Sequence, residues 1–351
     1  MVTYLAGNRA MGTNAERISI TPQVGGWKEL GRTTLGSSNT SIDVTSLPNK
    51  RYYMVLCSTD NTGIDDVQTR FNSDTGYNYS SRWSYNGTEG SAINGSFFYH
   101  YAFANDAGYP KFGIDYISNY TTKEKLTITH VIDSGGTGAT NAPRRGETVG
   151  KWANTSSAIS SLTRKLNTNT YNSGSEVVVL GYDPADTHTT NFWTELASVN
   201  ASGSSTTLSS GTFTAKKYLW VQGFIKSSAS SSTVDLQDFN GDTTGSNYSF
   251  RWSNNGSADT TRTSKTFIGY LSSADAIGSF FNMFIINTAS KEKLVICHGV
   301  GGNSSGAGNA PTRYETVGKW TNTSNQITSL TLTKGTDTIT SSSWLKVWGS
   351  D

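Results

Sequence analysis

The chain spells out much of its sequence twice, and this repeat constrains the fold more than any other feature. Residues 138–156 read GATNAPRRGETVGKWANTS, and residues 306–324 read GAGNAPTRYETVGKWTNTS. The same offset of 168 residues relates Trp152 to Trp320 and the leucines of the two KEKL motifs to each other. A period this long indicates two whole domains rather than a solenoid of small units. We therefore predict two homologous domains in tandem.

The repeat also sets the predicted domain boundaries. Towards the N-terminus the offset becomes 166, where Trp27 matches Trp193. The segment GYDPADTHTTNFW contains Pro184 and several Asp and Thr residues, a composition typical of linkers. We predict an N-terminal arm over residues 1–26, a first repeat over 27–184 and a second repeat over 185–351.

Each copy has the sequence pattern of β structure. Runs such as RYYMVLCS and KKYLWVQGF are short and rich in aromatic and β-branched residues, and Gly- and Asn-rich turns separate them. No segment has the apolar periodicity of an amphipathic helix. The predicted fold class is all-β, with two tandem homologous β-sandwich domains of jelly-roll type. Residues 134–152 are predicted to form a long ordered loop.

Composition argues against several kinds of partner. The formal net charge is +2 over 351 residues, and no cluster of Lys and Arg suits a phosphate backbone, so we expect no nucleic acid. No apolar run approaches the ~20 residues of a membrane span, and no signal peptide is visible, so we expect no membrane association. The cysteines, Cys57 and Cys297, stand at non-equivalent positions of the two copies and are predicted to be unpaired and buried in strands.

Several polar residues recur at matched positions of the two copies, and two interpretations are open. In the structural one, which we favour, Asn and Asp cap turns and Arg–Glu pairs fix loops. In the other, each copy holds a sugar with Asp, Asn and Arg beside a flat aromatic ring, as sandwich lectins do. The candidate ligand or loop-network positions are Asp74, Asn78, Arg82, Asp242, Asn247, Arg251, Arg145, Glu147, Arg313 and Glu315.

Catalysis has less support from the residues. A glycosidase needs two carboxylates about 5–9 Å apart, and nothing in the sequence brings Asp74 and Glu147 together. The strand histidines His130 and His298 have no indicated partner, and no known catalytic motif is present. One carboxylate in each copy's FN motif is few for calcium. We expect no enzyme activity, no catalytic residues, no cofactor and no metal.

At the motifs RFNSDTGYNYSSRWSYNG and TNAPRRGETVGKW the chain resembles a loosely defined set of virion-associated proteins from marine tailed bacteriophages, including cyanophages. Those proteins repeat a module with an FNGD-type motif, an NYS-type motif and an opening W-x-x-L strand, matched here at residues 27–30 and 193–196. Their short GNR…GT…AER start is matched by residues 7–17. The resemblance covers nearly the whole chain and implies a structural protein on the virion, without catalytic residues.

The expected function is therefore that of a structural virion protein of a tailed phage: a capsid decoration (cement) protein, or a tail or fibre component. A tandem carbohydrate-binding, adhesin-like protein with a host surface glycan as partner stays open, and a glycan-active enzyme ranks last. The expected partners are the chain itself, as a homo-oligomer with a trimer favoured, and other virion proteins. The expected location is the virion, after synthesis in the host cytoplasm. The arm would dock on a neighbour through Arg9, Glu16 and Arg17.

Overall fold

The chain divides into two units in a computed structural model. The structure describes residues 4–5, 8–9, 26–65, 67–100, 108–184, 186, 191–228, 234–243, 245–272, 277–302, 305–335 and 337–351, without the side chains of 4–5, 8–9, 234–237 and 271–272. Contacts between Cα atoms assign Met1–Asp133 and Arg145–Thr194 to unit 1, and Ser134–Arg144 and Glu195–Asp351 to unit 2. In the described residues, the regular secondary structure consists of β-strands alone.

Unit 1 contains one large and one small antiparallel sheet. The large sheet has eight strands in the order β3-β14-β5-β10-β11-β12-β7-β8, the small one has four in the order β4-β13-β6-β9, and β1 pairs with β2 inside the predicted arm. The strands are β1 (Tyr4–Leu5), β2 (Asn8–Arg9), β3 (Lys28–Thr34), β4 (Ser41–Val44), β5 (Tyr52–Asp60), β6 (Val67–Phe71), β7 (Tyr79–Tyr85), β8 (Thr88–Gly95), β9 (Phe98–Tyr99), β10 (Pro110–Ser118), β11 (Lys125–Asp133), β12 (Arg144–Trp152), β13 (Leu162–Leu166) and β14 (Glu176–Tyr182).

Unit 2 repeats this topology strand for strand. Its large sheet has the order β15-β26-β17-β22-β23-β24-β19-β20, and its small sheet has the order β16-β25-β18-β21. The strands are β15 (Thr194–Asn200), β16 (Thr207–Ser209), β17 (Tyr218–Ile225), β18 (Val234–Phe239), β19 (Tyr248–Asn254), β20 (Thr260–Lys265), β21 (Gly269–Ser272), β22 (Ser279–Ile286), β23 (Lys293–Gly301), β24 (Thr312–Trp320), β25 (Leu330–Thr333) and β26 (Trp344–Ser350). The predicted all-β tandem of sandwich domains is confirmed.

Each unit has its own hydrophobic core between its large and small sheets. In unit 1, Ile42 and Leu162 of the small sheet pack with Val55 and Val179 of the large one. Side chains alternate across a strand, so only one face of each sheet enters this core. The prediction of unpaired, buried cysteines is confirmed: Cys57 lies in the core of unit 1 and Cys297 in that of unit 2. Burial raises the pKa of the Cys57 thiol to about 12.

The boundary between the units falls after Thr194, whereas the sequence prediction put it after residue 184. The N–H of Phe192 donates to the carbonyl of Trp27 at 2.8 Å, and Trp193 is buried. The bond from Phe192 ties the segment before β15 to the first sandwich, and β15 of unit 2 begins at Thr194.

The prediction of a single loop over residues 134–152 is wrong in its second half. Residues 144–152 form β12, which pairs with β7 from Gly146 to Trp152 and neighbours β11 on its other side. Two glycines interrupt the alternation of apolar and polar residues in RRGETVGKW, and this hides the strand in the sequence. The loop itself ends at Pro143, and Ser134–Arg144 belongs to unit 2 although it lies between two strands of unit 1.

One difference between the two cores lies at a pair of positions that face each other across the sheets. In unit 1 a buried ion pair joins Arg164 of the small sheet to Asp115 of the large sheet, and Arg164 also donates to Thr69. In unit 2 the repeat places Leu332 and Met283 there, and both are buried in the core. The same fold thus accepts an ion pair or two apolar side chains at this place.

Transferring the unit 2 pair into unit 1 tests what the buried charges contribute. Asp115→Met alone leaves a buried guanidinium without its carboxylate and is expected to lower the free energy of unfolding by about 3–5 kcal/mol. Asp115→Met with Arg164→Leu is expected to be neutral, or to stabilise by about 1–4 kcal/mol, because the desolvation cost of both charges disappears. Denaturant unfolding measures both values. A double variant as unstable as the single one would contradict this account.

Candidate functional site

The turn that follows β6 carries the first candidate residues, and its carboxylate binds groups of its own unit. Asp74 accepts hydrogen bonds from the N–H of Gly76 at 2.8 Å, from Nδ2 of Asn78 at 2.9 Å and from Nε1 of Trp152 at 2.7 Å. The ring of Tyr79 stacks on Trp152 with centroids 6.3 Å apart. The carboxylate therefore ties the turn to the end of β12.

Unit 2 contains the same arrangement. Asp242 accepts from Nδ2 of Asn247 at 2.9 Å and from Nε1 of Trp320 at 2.7 Å, and Tyr248 stacks on Trp320 with centroids 6.4 Å apart. The rings are inclined by 15° in both units. Two copies that differ elsewhere have kept these contacts, which is what a scaffold requires.

The electrostatics of Asp74 follow from these contacts. Burial alone would raise the pKa of its carboxyl group, but hydrogen bonds from Trp152, Asn78 and Gly76 favour the charged form and hold the pKa below its usual value. The group is therefore ionised at neutral pH, and its oxygens are engaged by donors of the protein itself.

Sequence reasoning missed three further pairs of residues that hold the same region. Lys125 is buried, donates to the carbonyls of Thr121, Lys123 and Asn154, and lies 5.5 Å from the ring centre of Trp152. Its match in unit 2 donates in the same way, and burial lowers the pKa of that ammonium group to about 8. The signal for two of the pairs was the repetition of the KEKL and FN motifs, and the third pair stands four residues before KEKL in both copies. The three pairs are Lys125 with Lys293, Asn72 with Asn240 and Asn119 with Asn287.

The matched asparagines act as loop clamps. Oδ1 of Asn72 accepts from the backbone N–H of Ser160 at 2.7 Å, and its Nδ2 donates to the carbonyl of Ala158 at 2.8 Å. Asn240 makes the equivalent bonds with Thr328 and Gln326, each at 2.8 Å. Both asparagines adopt a left-handed backbone, with φ of 52° and 55°, which asparagine tolerates better than most residues.

The candidate Arg–Glu pairs lie at the other end of β12 and β24. Arg145 and Glu147 form an ion pair of 2.7 Å, and Arg313 and Glu315 form one of 3.3 Å. The arginine of the first pair is buried and that of the second is exposed.

Asp74 and Glu147 are not brought together by the fold. Asp74 binds the side chain of Trp152, and Glu147 lies five residues further back along β12, about 17 Å at 3.4 Å per residue. That spacing between the Cα atoms of Trp152 and Glu147 puts the two carboxylates at opposite ends of β12, which argues against a glycosidase pair. Nδ1 of His130 lies 4.0 Å from Glu147, on the same side of the strand pair.

The remaining candidates divide between the units and the arm. Arg82 is exposed on β7, whereas Nε of its match, Arg251 on β19, donates to the carbonyl of Pro143 at 2.8 Å. Of the assembly residues, Arg9 lies in β2, and Glu16 and Arg17 fall outside the described residues. Among the described residues no helix is long and apolar enough to span a membrane.

Comparison with protein-family models gives no match, and comparison with curated proteins gives none either. Among solved structures the chain is similar to Ail, the attachment invasion locus protein of Yersinia pestis, at 7% identity over 81% of this chain and 99% of that chain, with a TM-score of 0.13. It is also similar to domains LG4-5 of the mouse laminin alpha1 chain, at 8% identity over 91% and 92% of the two chains, with a TM-score of 0.20. The STIV MCP gives 10% identity over 92% and 96%, with a TM-score of 0.11.

Replacing the carboxylate of Asp74 tests its structural role. Asp74→Asn turns one acceptor oxygen into a donor facing other donors, and we expect it to lower the free energy of unfolding by about 1–3 kcal/mol. Because the folded-state pKa is lowered, this stabilisation is complete above the ordinary pKa of about 4 and is lost as pH falls through the folded-state value. Denaturant unfolding at several pH values should show the gap between wild type and variant closing in acid.

The matched control is Glu89→Gln, a charge removal at an exposed position of β8. It should change the unfolding free energy by less than about 0.5 kcal/mol. An Asp74→Asn protein as stable as this control would show that the turn network contributes nothing.

Proposed function

We propose that the chain is a structural virion protein of a tailed phage, most directly a capsid decoration (cement) protein. One observation carries the proposal: the turn aspartates and asparagines that both copies have kept make their hydrogen bonds inside their own unit. Asp74 and Asp242 bind a tryptophan and an asparagine, and Asn72 and Asn240 bind backbone. Repetition has thus preserved a scaffold, as expected of a protein whose task is to cover a surface.

A second observation supports a role in surface contacts. The large sheet of unit 1 exposes apolar side chains on its outer face, on β11 and β12. Exposed apolar patches on a folded domain mark surfaces that meet another macromolecule. A tail or fibre component would use such a surface equally well, so the surface does not distinguish the capsid from the tail. Copy number does distinguish them.

Copy number in purified particles tests the proposal. A decoration protein is expected at hundreds of copies per particle by quantitative mass spectrometry, and a tail or fibre protein at a handful. Deleting residues 2–20 should leave both sandwiches folded, because β3 to β26 lie outside the deletion, and should abolish incorporation if the arm is the anchor. Absence of the full-length chain from particles would refute the virion role, and normal incorporation of the shortened chain would refute the arm's role alone.

A carbohydrate-binding function is the second candidate, and a single side chain favours it. Tyr77 stands next to the Asp74 turn with 79% of its surface exposed, and a flat exposed ring is a surface on which a sugar can stack. Its counterpart in unit 2 is Ser246, so this feature belongs to the first repeat only.

Tyr77→Ser transfers the unit 2 residue into unit 1 and tests this function on a glycan array. If the chain binds glycans through this ring, wild type should bind a defined set and Tyr77→Ser should lose it without a change in thermal stability. Ile64→Ser, at another exposed position of unit 1, is the control and should keep binding. Wild type that binds no glycan, or binding that survives Tyr77→Ser, would remove this candidate.

A further inference from the structure

One loop that the sequence places in the first repeat is bound within unit 2. Its hydrogen bonds show which residues bind a loop of this kind. Ser134–Arg144, here called the docked loop, belongs to unit 2, although the sequence places it in the first repeat. It is bound by side chains and backbone of β19, β20 and β24 and by the residue before β23. The bonds run from Gly138 N–H to Glu292 (2.6 Å), from Ser264 N–H to the carbonyl of Ala139 (2.8 Å), from Ser249 Oγ to that of Asn141 (2.8 Å), from Arg251 Nε to that of Pro143 (2.8 Å) and from Lys319 Nζ to that of Gly136 (2.5 Å).

The second repeat carries a loop of similar sequence with the same internal hydrogen bond and the same glycine conformation. Residues 305–312, here called the matching loop, read SGAGNAPT where the docked loop reads TGATNAPR. Nδ2 of Asn141 donates to the carbonyl of Thr137 at 2.7 Å, and Nδ2 of Asn309 donates to that of Ser305 at 2.8 Å. Gly138 and Gly306 have φ of 74° and 88°, which favours glycine. The matching loop is therefore already folded for docking, and this lowers the entropy cost of binding.

The two loops differ in what surrounds them. Ala139 and Pro143 of the docked loop are buried, whereas Ala307 and Pro311 of the matching loop are exposed. The same apolar side chains thus face protein in one case and solvent in the other.

Unit 1 carries the corresponding binding surface. The repeat assigns Ser80 to Ser249, Arg82 to Arg251, Glu124 to Glu292 and Lys151 to Lys319, so four residue types are kept. Asn94 occupies the place of Ser264 at a bulge of the edge strand, and both have φ of 52°. The matching surface of unit 1 consists of Ser80, Arg82, Asn94, Glu124 and Lys151.

This surface is exposed where its counterpart is buried. Lys151 and Glu124 form an ion pair of 3.1 Å with side chains 47% and 41% exposed, whereas Lys319 and Glu292 form one of 3.5 Å with side chains 0% and 8% exposed. The residue types are equal, so the difference lies in the surroundings.

An apolar patch beside these residues is likewise exposed in unit 1 and buried in unit 2. Leu126, Ile128 and Val149 of unit 1 are 55%, 49% and 50% exposed. They lie on the face of β11 and β12 that turns away from the core, and in β11 the core side carries Thr127 and Thr129 instead. Their equivalents in unit 2 are buried: Leu294 at 0%, Ile296 at 3% and Val317 at 2% exposure. Leucine and isoleucine facing solvent, with threonine facing inward, indicate a face built to be covered.

We propose that the matching loop of one chain docks on the matching surface of unit 1 in a second copy of this chain. By the pattern of unit 2, Glu124 would accept the N–H of Gly306, the N–H of Asn94 would bind the carbonyl of Ala307, and Ser80 and Arg82 would bind those of Asn309 and Pro311. The occupant is a second copy because this chain already carries the loop, and the surface has kept the residues that bind such a loop.

The resulting contact is heterologous, since a loop of unit 2 meets a surface of unit 1. Such a contact repeats head to tail, and it either closes into a ring or extends into a filament. This self-association does not depend on the virion role, because it is a property of the purified chain.

Site-directed cross-linking tests the proposal with two singly substituted proteins in the wild-type background, where Cys57 and Cys297 are buried. Ala307→Cys places a thiol on the matching loop, and Asn94→Cys places one on the matching surface. A short bis-maleimide should join the two proteins into a covalent heterodimer when they are mixed, and should join neither protein to itself above the background given by Thr243→Cys, an exposed position of unit 2.

Oligomeric state gives a second, independent readout by light scattering and native mass spectrometry. Wild type should form rings or filaments at concentrations on the order of 100 µM. Ala307→Arg, which puts a bulky charge on the docking loop, should be monomeric with unchanged thermal stability, and Thr243→Arg should assemble like wild type. A wild-type protein that stays monomeric and gives no heterodimer would overturn the proposal, as would a symmetric dimer cross-linked through Ala307→Cys alone.

Discussion

In each sandwich, a hydrogen bond from a tryptophan indole to a turn carboxylate lies where the chain passes from the small sheet to the large one. The relative position of the two sheets depends on this bond. β6 belongs to the small sheet of unit 1 and β7 to the large one, so the turn between them leads from one sheet to the other at the edge of the core. Asp74 in this turn accepts from Trp152 at the end of β12, and the hydroxyl of Tyr79 accepts the N–H of Phe71 at 3.0 Å. Two sheets that pack only through apolar faces can slide, and these directional bonds fix their relative position. The buried ammonium group of Lys125 over the Trp152 ring closes the same corner.

Much of this fold could be predicted from the sequence because the two repeats of the chain can be compared with each other. The offset of 168 residues predicted the tandem, and short aromatic and β-branched runs predicted strands. The recurrence of Asp74, Asn78 and Trp152 in the second copy marked residues that act together, although it did not say whether they bind a ligand or each other. Only the distances decide that, since a turn network and a sugar site use the same residue types.

Other features lay beyond sequence reasoning for physical reasons. Lys125 reads as a surface residue because a lysine is rarely buried, and its burial depends on three carbonyls that only the fold brings together. β12 is hidden by Gly146 and Gly150, which have no side chain to continue the alternation. The assignment of residues 134–144 to the second unit has no local signal at all, because the residues that bind the loop lie more than a hundred positions away.

The two repeats place nearly identical surfaces in different surroundings, and this bears on why the chain has two of them. Within one chain a loop and its binding surface are held near each other by the covalent backbone, so docking in unit 2 takes place at a high effective concentration. Docking between chains lacks this advantage and depends on the local concentration of the protein. If the chain covers a particle, copies arriving at one surface would be concentrated there, and head-to-tail contacts would form on the particle before they form in solution. The docked loop would then stabilise each subunit from within. The matching loop would link neighbouring subunits into an assembly on the particle surface.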